Sequence, residues 1–393
     1  MLPDFRVEQE VILSALRAGA VDGDRVRDLM RRNPDWSLLR ETARNHGVLP
    51  LLYARLREVG RDLVPPGEMA RMRELYSANS RRNLRMGAEL LKVLKFLDAH
   101  GIVAIPVKGP VLAESAYGDI ALRQFVDLDL LVRGEDILRV KELLVGKGFL
   151  PTHAFTGRQE EAHLARDNEF TFEAEGGKGQ LDVHWRFAAA YLAAPLDAGA
   201  AFERRVEGRL LGRPVPALAH EDALLYLCLH GTFHLFETLG LVCDVARLLE
   251  SRDDWDWRAL MERAASAGLR RTLLLGVTLA RDLLHAPVPP GIGDAADRDR
   301  AVAALRARVR ERLFRGWGGG GGFVETALFQ LRSKELLADK VRYCLIRSLI
   351  PTVEDWKRTR LPDSLYFLYY LLRPLRLAGV IPRLPPSPST KVT

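Results

Sequence analysis

The stretch "VKGPVLAESAYGDIALRQFVDLDLLV", residues 107–132, begins as an apolar strand, passes through a polar segment and ends as a second apolar strand. The second strand carries Asp127 and Asp129 among valine and leucine. Side chains two positions apart on a strand point to the same face, so the two carboxylates project together while Leu128 and Leu130 face a core. Two like charges are costly to bury unless a cation lies between them. The pattern therefore predicts either a divalent-cation site or an edge strand whose aspartates face solvent.

Three neighbouring features favour the cation site. Lys108 and Gly109 end the first strand, where a glycine lets the backbone approach a phosphate closely. The next residues, "PVLAESAYG", can start a helix with proline in its first turn, and the free N–H groups of a helix start attract anions. A later strand, "LDVHW", supplies Asp182 as a third carboxylate. Such a set suits two-metal phosphoryl or nucleotidyl transfer, in which one ion holds the triphosphate and the other activates the attacking hydroxyl.

A small mixed α/β unit surrounds these residues, from 102 to about 190. The runs at 102–107 and 127–132 are typical of strands, and 135–148 has the apolar spacing of a helix. "NEFTFEA" and "QLDVHW" flank the glycine-rich "EGGKG", which predicts a hairpin. The unit therefore combines a short sheet with at least one helix.

The remainder of the chain is predicted to be helical. Apolar residues recur at three- and four-residue spacing before residue 100 and again from about residue 219. The final "PPSPSTKVT" has the composition of a disordered segment. The predicted class is α+β, with these segments: N-terminal helices at 1–100, the mixed core at 101–190, a larger helical region at 191–380 and a disordered tail at 381–393.

Composition limits the class of protein. With 48% hydrophobic and 28% charged residues, and no uncharged apolar run of 18 residues, the chain is predicted to be soluble and not to span a membrane. The start "MLPDFRVEQE" lacks a signal pattern, and three widely spaced cysteines fit reduced thiols in a cytoplasm. The net charge of +7 has two explanations: an arginine-rich proteome, or a phosphate-bearing ligand or nucleic acid.

Together these motifs resemble the uncharacterised nucleotidyltransferase family of the polymerase-β-like superfamily. The resemblance covers about residues 80–250, and the positions that carry it are Lys108-Gly109, Tyr117, Arg123, Asp127-Leu128-Asp129, and Asp182 with His184 and Trp185. Two positions depart from the superfamily pattern. Pro110 stands where serine or glycine usually follows the first glycine, and Val126 replaces the glycine that often precedes the first aspartate.

The resemblance implies a role for each site residue and a nucleotidyltransferase core for the mixed unit. It implies that the three aspartates bind Mg²⁺, with two ions expected, and that Asp182 also helps to deprotonate the acceptor hydroxyl. It implies that Lys108, Gly109 and Arg123 neutralise the charge of the phosphates. It also implies that His184 contacts the acceptor or a phosphate, or packs beneath Asp182.

The implied reaction moves a nucleoside monophosphate from an NTP, with ATP expected, to an unidentified small-molecule, peptide or protein acceptor and releases pyrophosphate. Two alternatives stay open: a toxin-like enzyme that modifies tRNA or other RNA, and a non-catalytic nucleotide-binding module. His230 and His234, four apart on a predicted helix, could hold zinc, touch substrate or be structural. Glu169 and Glu173 are secondary candidates for the site.

The charge pattern also carries an expectation for stability. Because Asp127 and Asp129 repel each other when no cation is bound, replacing either by asparagine is expected to leave the free protein as stable as before, or slightly more so.

Overall fold

The computed structural model of the chain describes residues 6–17, 19, 22–174, 179–192, 196–314 and 322–379. The tail predicted to be disordered, 381–393, lies outside these residues, as does the centre of the "EGGKG" turn. The helices of the described residues are α1 Val7–Leu16, α2 Gly23–Met30, α3 Trp36–Asn45, α4 Leu49–Val59, α5 Pro66–Asp98, α6 Gly109–Tyr117, α7 Ile137–Gly146, α8 Gly157–Arg166, α9 Ala198–Glu203, α10 His220–Phe233, α11 Leu239–Glu250, α12 Trp257–Ser266, α13 Arg270–Leu284, α14 Pro290–Arg298, α15 Arg300–Phe314, α16 Phe323–Ser333, α17 Leu337–Leu349, α18 Val353–Arg358 and α19 Tyr369–Leu377.

The strands form a five-stranded mixed sheet and a separate hairpin. Sheet order is β1-β2-β5-β4-β3, with the central pair β2 and β5 parallel and the other pairs antiparallel. This small mixed sheet among helices confirms the predicted α+β class. The strands are β1 Ile105–Pro106, β2 Asp127–Leu131, β3 Leu150–Pro151, β4 Glu169–Glu173 and β5 Gln180–His184, with β6 Val206–Leu210 and β7 Arg213–Ala217 in the hairpin.

The strand predicted at 102–107 is shorter in the structure. Pairing is limited to two residues of β1, because Pro106 has no N–H to donate and the chain turns into α6 at Gly109. The hairpin β6–β7 lies inside the interval 191–380, for which helices were expected. Its second strand, "RPVPA", contains two prolines, which are excluded from a helix interior.

Each face of the sheet packs against different helices. On one face, Leu128 and Leu130 of β2 contact the second half of α5 together with α7, through Leu90 and Leu144 among others. On the other face, Leu131 packs with residues of α9 and α10. Since Asp127 and Asp129 share the face of Leu131, their carboxylates point toward α10 and not into the α5 core.

The described N-terminal helices pack into a core that they share with C-terminal helices. One cluster of buried side chains joins α1 and α4 to α10, α11 and α13, so the segments 1–100 and 191–380 share a hydrophobic core around the sheet. Its members include Ile12, Leu52, Leu225, Val245 and Leu275. Within the described residues, every helix is too short or too polar to cross a bilayer.

Candidate active site

Three carboxylates meet where the two parallel strands lie side by side. The register of β2 and β5 pairs Asp129 with Asp182, and paired residues of neighbouring strands point to the same face. Asp127 lies two residues before Asp129 on that face. One side-chain oxygen from each of the three lies within 4.8 Å of the others. The structure thus brings together the three acids that the sequence singled out.

Asp129 is the buried centre of this group. Its Oδ1 lies 2.9 Å from Lys108 Nζ and 3.1 Å from His184 Nε2. Burial alone would raise the pKa of the Asp129 carboxyl, but Lys108 and His184 outweigh it and hold this pKa well below its usual range. The second oxygen, Oδ2, is buried and has no hydrogen-bond partner among the residues that the structure describes. A buried carboxylate oxygen without a partner is uncommon, and a cation would satisfy it.

The other two acids have different surroundings. Asp127 is partly buried, and burial together with the negative charge of Asp129 raises its pKa. Asp182 is buried on β5, where Gln180 Nε2 donates to its two oxygens at 3.1 and 2.9 Å. Asp127 and Asp129 therefore differ in how readily they carry charge, and Asp127 resists ionisation because of its burial and the charge of Asp129.

His184 connects Asp129 to the neighbouring strand β4. Its Nδ1 lies 3.1 Å from Glu169 Oε2 and 3.2 Å from Asn168 Nδ2, while Nε2 faces Asp129. Burial lowers the pKa of His184, but the contacts with Asp129 and Glu169 outweigh burial and raise it. The imidazole therefore contacts Asp129 across the sheet, although sequence reasoning offered Asp182 as the neighbour beneath which it might pack. Glu169, a secondary candidate from sequence, completes this chain of contacts.

A cavity of about 560 Å³ opens over the acids. Its opposite wall is formed by α10 and the residue that follows it, and includes Tyr226, His230 and His234. The two imidazole rings lie 4.6 Å apart between centroids. Burial lowers the pKa of His230 and lowers that of His234 to about 4, so both rings are neutral near pH 7. The wall facing the acids is therefore aromatic and uncharged.

Lys108 and Gly109 lie at the start of α6, beside the acids. Gly109 has φ +63°, a conformation that favours glycine, and an added Cβ would lie 3.7 Å from the carbonyl oxygen of Asp127. Burial alone would lower the pKa of Lys108, but Tyr226, Asp129 and Asp127 outweigh it and raise this pKa above its usual value. Lys108 is thus a buried, charged ammonium at the edge of the cavity.

Arg123 is held by a carboxylate that sequence reasoning did not assign to it. Its Nε and Nη2 donate to the two oxygens of Asp244 on α11, both at 2.7 Å, and Tyr117 Oη donates to the same carboxylate at 2.6 Å. The side chain of Arg123 lines the cavity but is only 12% exposed. Two guanidinium N–H groups that could have bound phosphate in a bidentate manner are therefore occupied.

The backbone before β2 is held from α5 as well. Asn79 Nδ2 donates to the carbonyl of Ala121 at 2.9 Å, and Asn83 Nδ2 donates to the carbonyls of Ile120 and Arg123 at 2.7 and 2.8 Å. Both asparagines are buried in the middle of a long helix. The signal in the sequence was a pair of asparagines, four residues apart, on the apolar face of a predicted helix. Sequence reasoning missed this signal.

Comparison with known proteins places this site in a family. A family model described as an uncharacterised nucleotidyltransferase matches residues 32–285, which is more than half of the chain. The chain belongs to this nucleotidyltransferase family. The resemblance inferred from the motifs is thereby confirmed, and the protein is an enzyme of the transferase class. The matched interval contains every candidate site residue, from Lys108 to His184, and extends through α13.

Two solved structures are similar to this nucleotidyltransferase over 58% of its length. One is a solution structure of the antibiotic-resistance factor ANT(2'')-Ia, with 16% identity, 92% of that chain covered and a TM-score of 0.28. The other is a crystal structure of ANT(2'')-Ia in complex with adenylyl-2''-tobramycin, with 17% identity, 98% of that chain covered and a TM-score of 0.28. No curated protein sequence matches the chain.

The pairing of Arg123 with Asp244 leads to a prediction for this nucleotidyltransferase. We expect Asp244→Asn to lower the free energy of unfolding by about 3 kcal/mol, because it leaves a buried guanidinium without its carboxylate. Chemical denaturation followed by circular dichroism measures the change. The matched control is Asp253→Asn, an exposed aspartate, which should be neutral. Unchanged stability in Asp244→Asn would mean that the pair with Asp244 does not stabilise the fold. Arg123 would then again be a candidate for binding phosphate.

Proposed function

We propose that this nucleotidyltransferase transfers a nucleoside monophosphate from an NTP, with ATP as the first candidate, to an acceptor hydroxyl in a Mg²⁺-dependent reaction that releases pyrophosphate. The acceptor class is a small molecule, peptide or protein. The observation that carries the proposal is the group of three carboxylates on neighbouring parallel strands, in which one buried oxygen of Asp129 has no partner within the described part of the chain. Family membership supports nucleotide transfer in general.

The donor set fits Mg²⁺. Asp127, Asp129 and Asp182 present hard oxygen ligands, and the cavity leaves room for triphosphate oxygens and water to complete the coordination. When bound, Mg²⁺ would neutralise the triphosphate and stabilise the charge that develops during transfer. In this proposal Asp127 and Asp129 would hold the metal ion on the nucleotide side, and Asp182 would complete a second metal site on the acceptor side.

Each remaining residue has a definite task in the proposal. A bond forms between the acceptor oxygen and the α-phosphorus while the bond to pyrophosphate breaks, and Asp182 receives the acceptor proton. Lys108, next to the start of α6, neutralises phosphate charge. His184 keeps Asp129 oriented through its contacts on both ring nitrogens. Arg123 orders the segment before β2 by pairing with Asp244, and its contribution to phosphate binding would come from the N–H groups that remain.

A binding experiment tests whether nucleotide and metal act together. We expect ATP and MgCl₂ to raise the melting temperature jointly, because a ligand at a hundred times its Kd stabilises a protein by about 2.7 kcal/mol. ATP alone or MgCl₂ alone should raise the melting temperature less. Glu173, a secondary candidate from the sequence, is exposed on β4 and is not among the residues that line the cavity, so Glu173→Gln is the matched control and should behave like the wild type.

A transfer experiment separates the enzyme from a non-catalytic module. The protein is incubated with α-labelled NTPs and a cell extract, and we expect label in one class of acceptor together with free pyrophosphate. A joint ligand effect without label transfer or pyrophosphate would favour the binding module. Pro110, which replaces a donor N–H early in α6, is the observation in favour of that outcome.

A further inference from the structure

An arginine-lined groove lies between the end of α4 and the first half of α5, apart from the cavity over the acids. Its volume is about 910 Å³. Arg57 and Arg61 line one side, and Arg73 and Arg81 line the other. Glu74 is the acidic residue among the lining side chains, so four positive charges face one negative charge. Arg73 and Arg81 lie eight residues apart on α5, at twice the four-residue spacing that places side chains on one face.

These four arginines have no carboxylate partner among the described residues, unlike several arginines near them. Arg27, Arg55 and Arg71 pair with Asp62, Glu58 and Glu68 at 2.7, 3.2 and 2.6 Å. In the part of the chain that the structure describes, none of the four groove arginines makes an ion pair, and all four side chains are exposed. Like charges that converge on a groove repel one another and create a positive potential that an anion relieves.

The chemistry of the groove indicates phosphate. Every lining cation is an arginine, and the planar guanidinium matches phosphate oxygens in a bidentate manner that lysine cannot reproduce. A concave site with charges on both walls suits a chain of phosphates and does not suit a flat lipid surface. We propose that this groove binds the phosphate backbone of a nucleic acid.

Helix α5 connects the groove to the segment that leads to the carboxylates. Asn79 lies between Ser77 and Arg81 on α5, and its amide holds the carbonyl of Ala121 in the segment that leads to Asp127. A strand bound in the groove therefore lies along the helix that orders this segment. The proposal concerns binding alone and does not depend on which acceptor receives the nucleotide.

Salt-dependent binding tests the groove. The full chain is titrated against a fluorescent single-stranded RNA of about 20 nucleotides at several KCl concentrations. Each phosphate contact contributes about 0.7 to the slope of log K against log salt for a single strand, so Arg73→Gln/Arg81→Gln should reduce the slope by about 1.4. The affinity at the lowest salt concentration should fall by about tenfold. Arg57→Gln/Arg61→Gln, on the opposite wall, should have the same effect.

The control removes the same charge elsewhere. Arg298→Gln/Arg358→Gln changes two exposed arginines of α14 and α18 and should leave the slope within experimental error of the wild type. Equal slopes for the groove and control variants would overturn the proposal, since binding would then follow net charge alone. Displacement of the RNA by polyglutamate at equal charge concentration would also overturn it, in favour of an acidic peptide. Asp127→Asn should bind RNA normally, which separates this test from that of the transferase site.

Discussion

Replacing Asp127 or Asp129 by asparagine, one at a time, is expected to abolish nucleotide transfer in both variants but to lower the stability of the Asp129 variant alone. If metal stabilisation of the transition state is worth roughly 4 kcal/mol, each variant loses about a thousandfold in rate. The shape of each side chain is kept, so the loss reflects removal of a charged ligand. Label transfer from an α-labelled NTP measures this effect against Glu173→Gln as the control.

The stability change for Asp127→Asn follows from its surroundings. Burial and the charge of Asp129 raise the pKa of Asp127 in the folded state. A raised folded-state pKa means that the carboxyl ionises more readily in the unfolded chain, so at pH 7 its charge favours unfolding. Removing the charge should leave the free energy of unfolding unchanged or slightly increase it.

Asp129→Asn should behave differently, because Asp129 pairs with Lys108 and His184. The substitution leaves a buried ammonium without its carboxylate, and the expected loss is about 3 kcal/mol. This differs from the expectation drawn from the repulsion of the two aspartates alone, which treated them as equivalent. Chemical denaturation without metal measures both variants. If both variants lose the same free energy of unfolding and residual label transfer persists, the acids are structural and the transferase site lies elsewhere.

Asp182→Asn is expected to lose transfer by a similar factor, about a thousandfold, while keeping most of its affinity for NTP and Mg²⁺. Asp182 belongs to β5 and serves the acceptor side in the proposed reaction, whereas Asp127 and Asp129 hold the nucleotide. Gln180 can still donate to the oxygen of an asparagine at 182, so the fold should be little affected. Isothermal titration with a non-hydrolysable NTP gives the affinity, and label transfer gives the rate.

The control for Asp182→Asn comes from the adjacent strand. Glu173 of β4 pairs in register with Gln180 of β5 and carries an exposed carboxylate, so Glu173→Gln changes charge in the same sheet without touching the cavity. It should keep both affinity and rate. If Asp182→Asn loses affinity for NTP in proportion to its rate, then Asp182 holds the nucleotide and not the acceptor, and the assignment of the two sides is wrong.

Sequence alone was sufficient for the elements whose geometry is local. Alternation in β2 places Asp127 and Asp129 on one face and Leu128 and Leu130 on the other, because the two-residue period of a strand is a property of its own backbone. The proline at 110 likewise predicted a helix start there, within one residue of the start of α6 at Gly109. These local rules also predicted the individual strands and the hairpin of β4 and β5.

Tertiary structure decided which charges are partners. Asp129 and Asp182 are neighbours through the parallel register of strands about fifty residues apart, and Arg123 meets a carboxylate 121 residues away on α11. The shared core of the N-terminal and C-terminal helices is likewise a matter of packing between distant segments. No local period encodes such contacts, because they depend on how whole faces pack and on which buried charges find a counter-charge there.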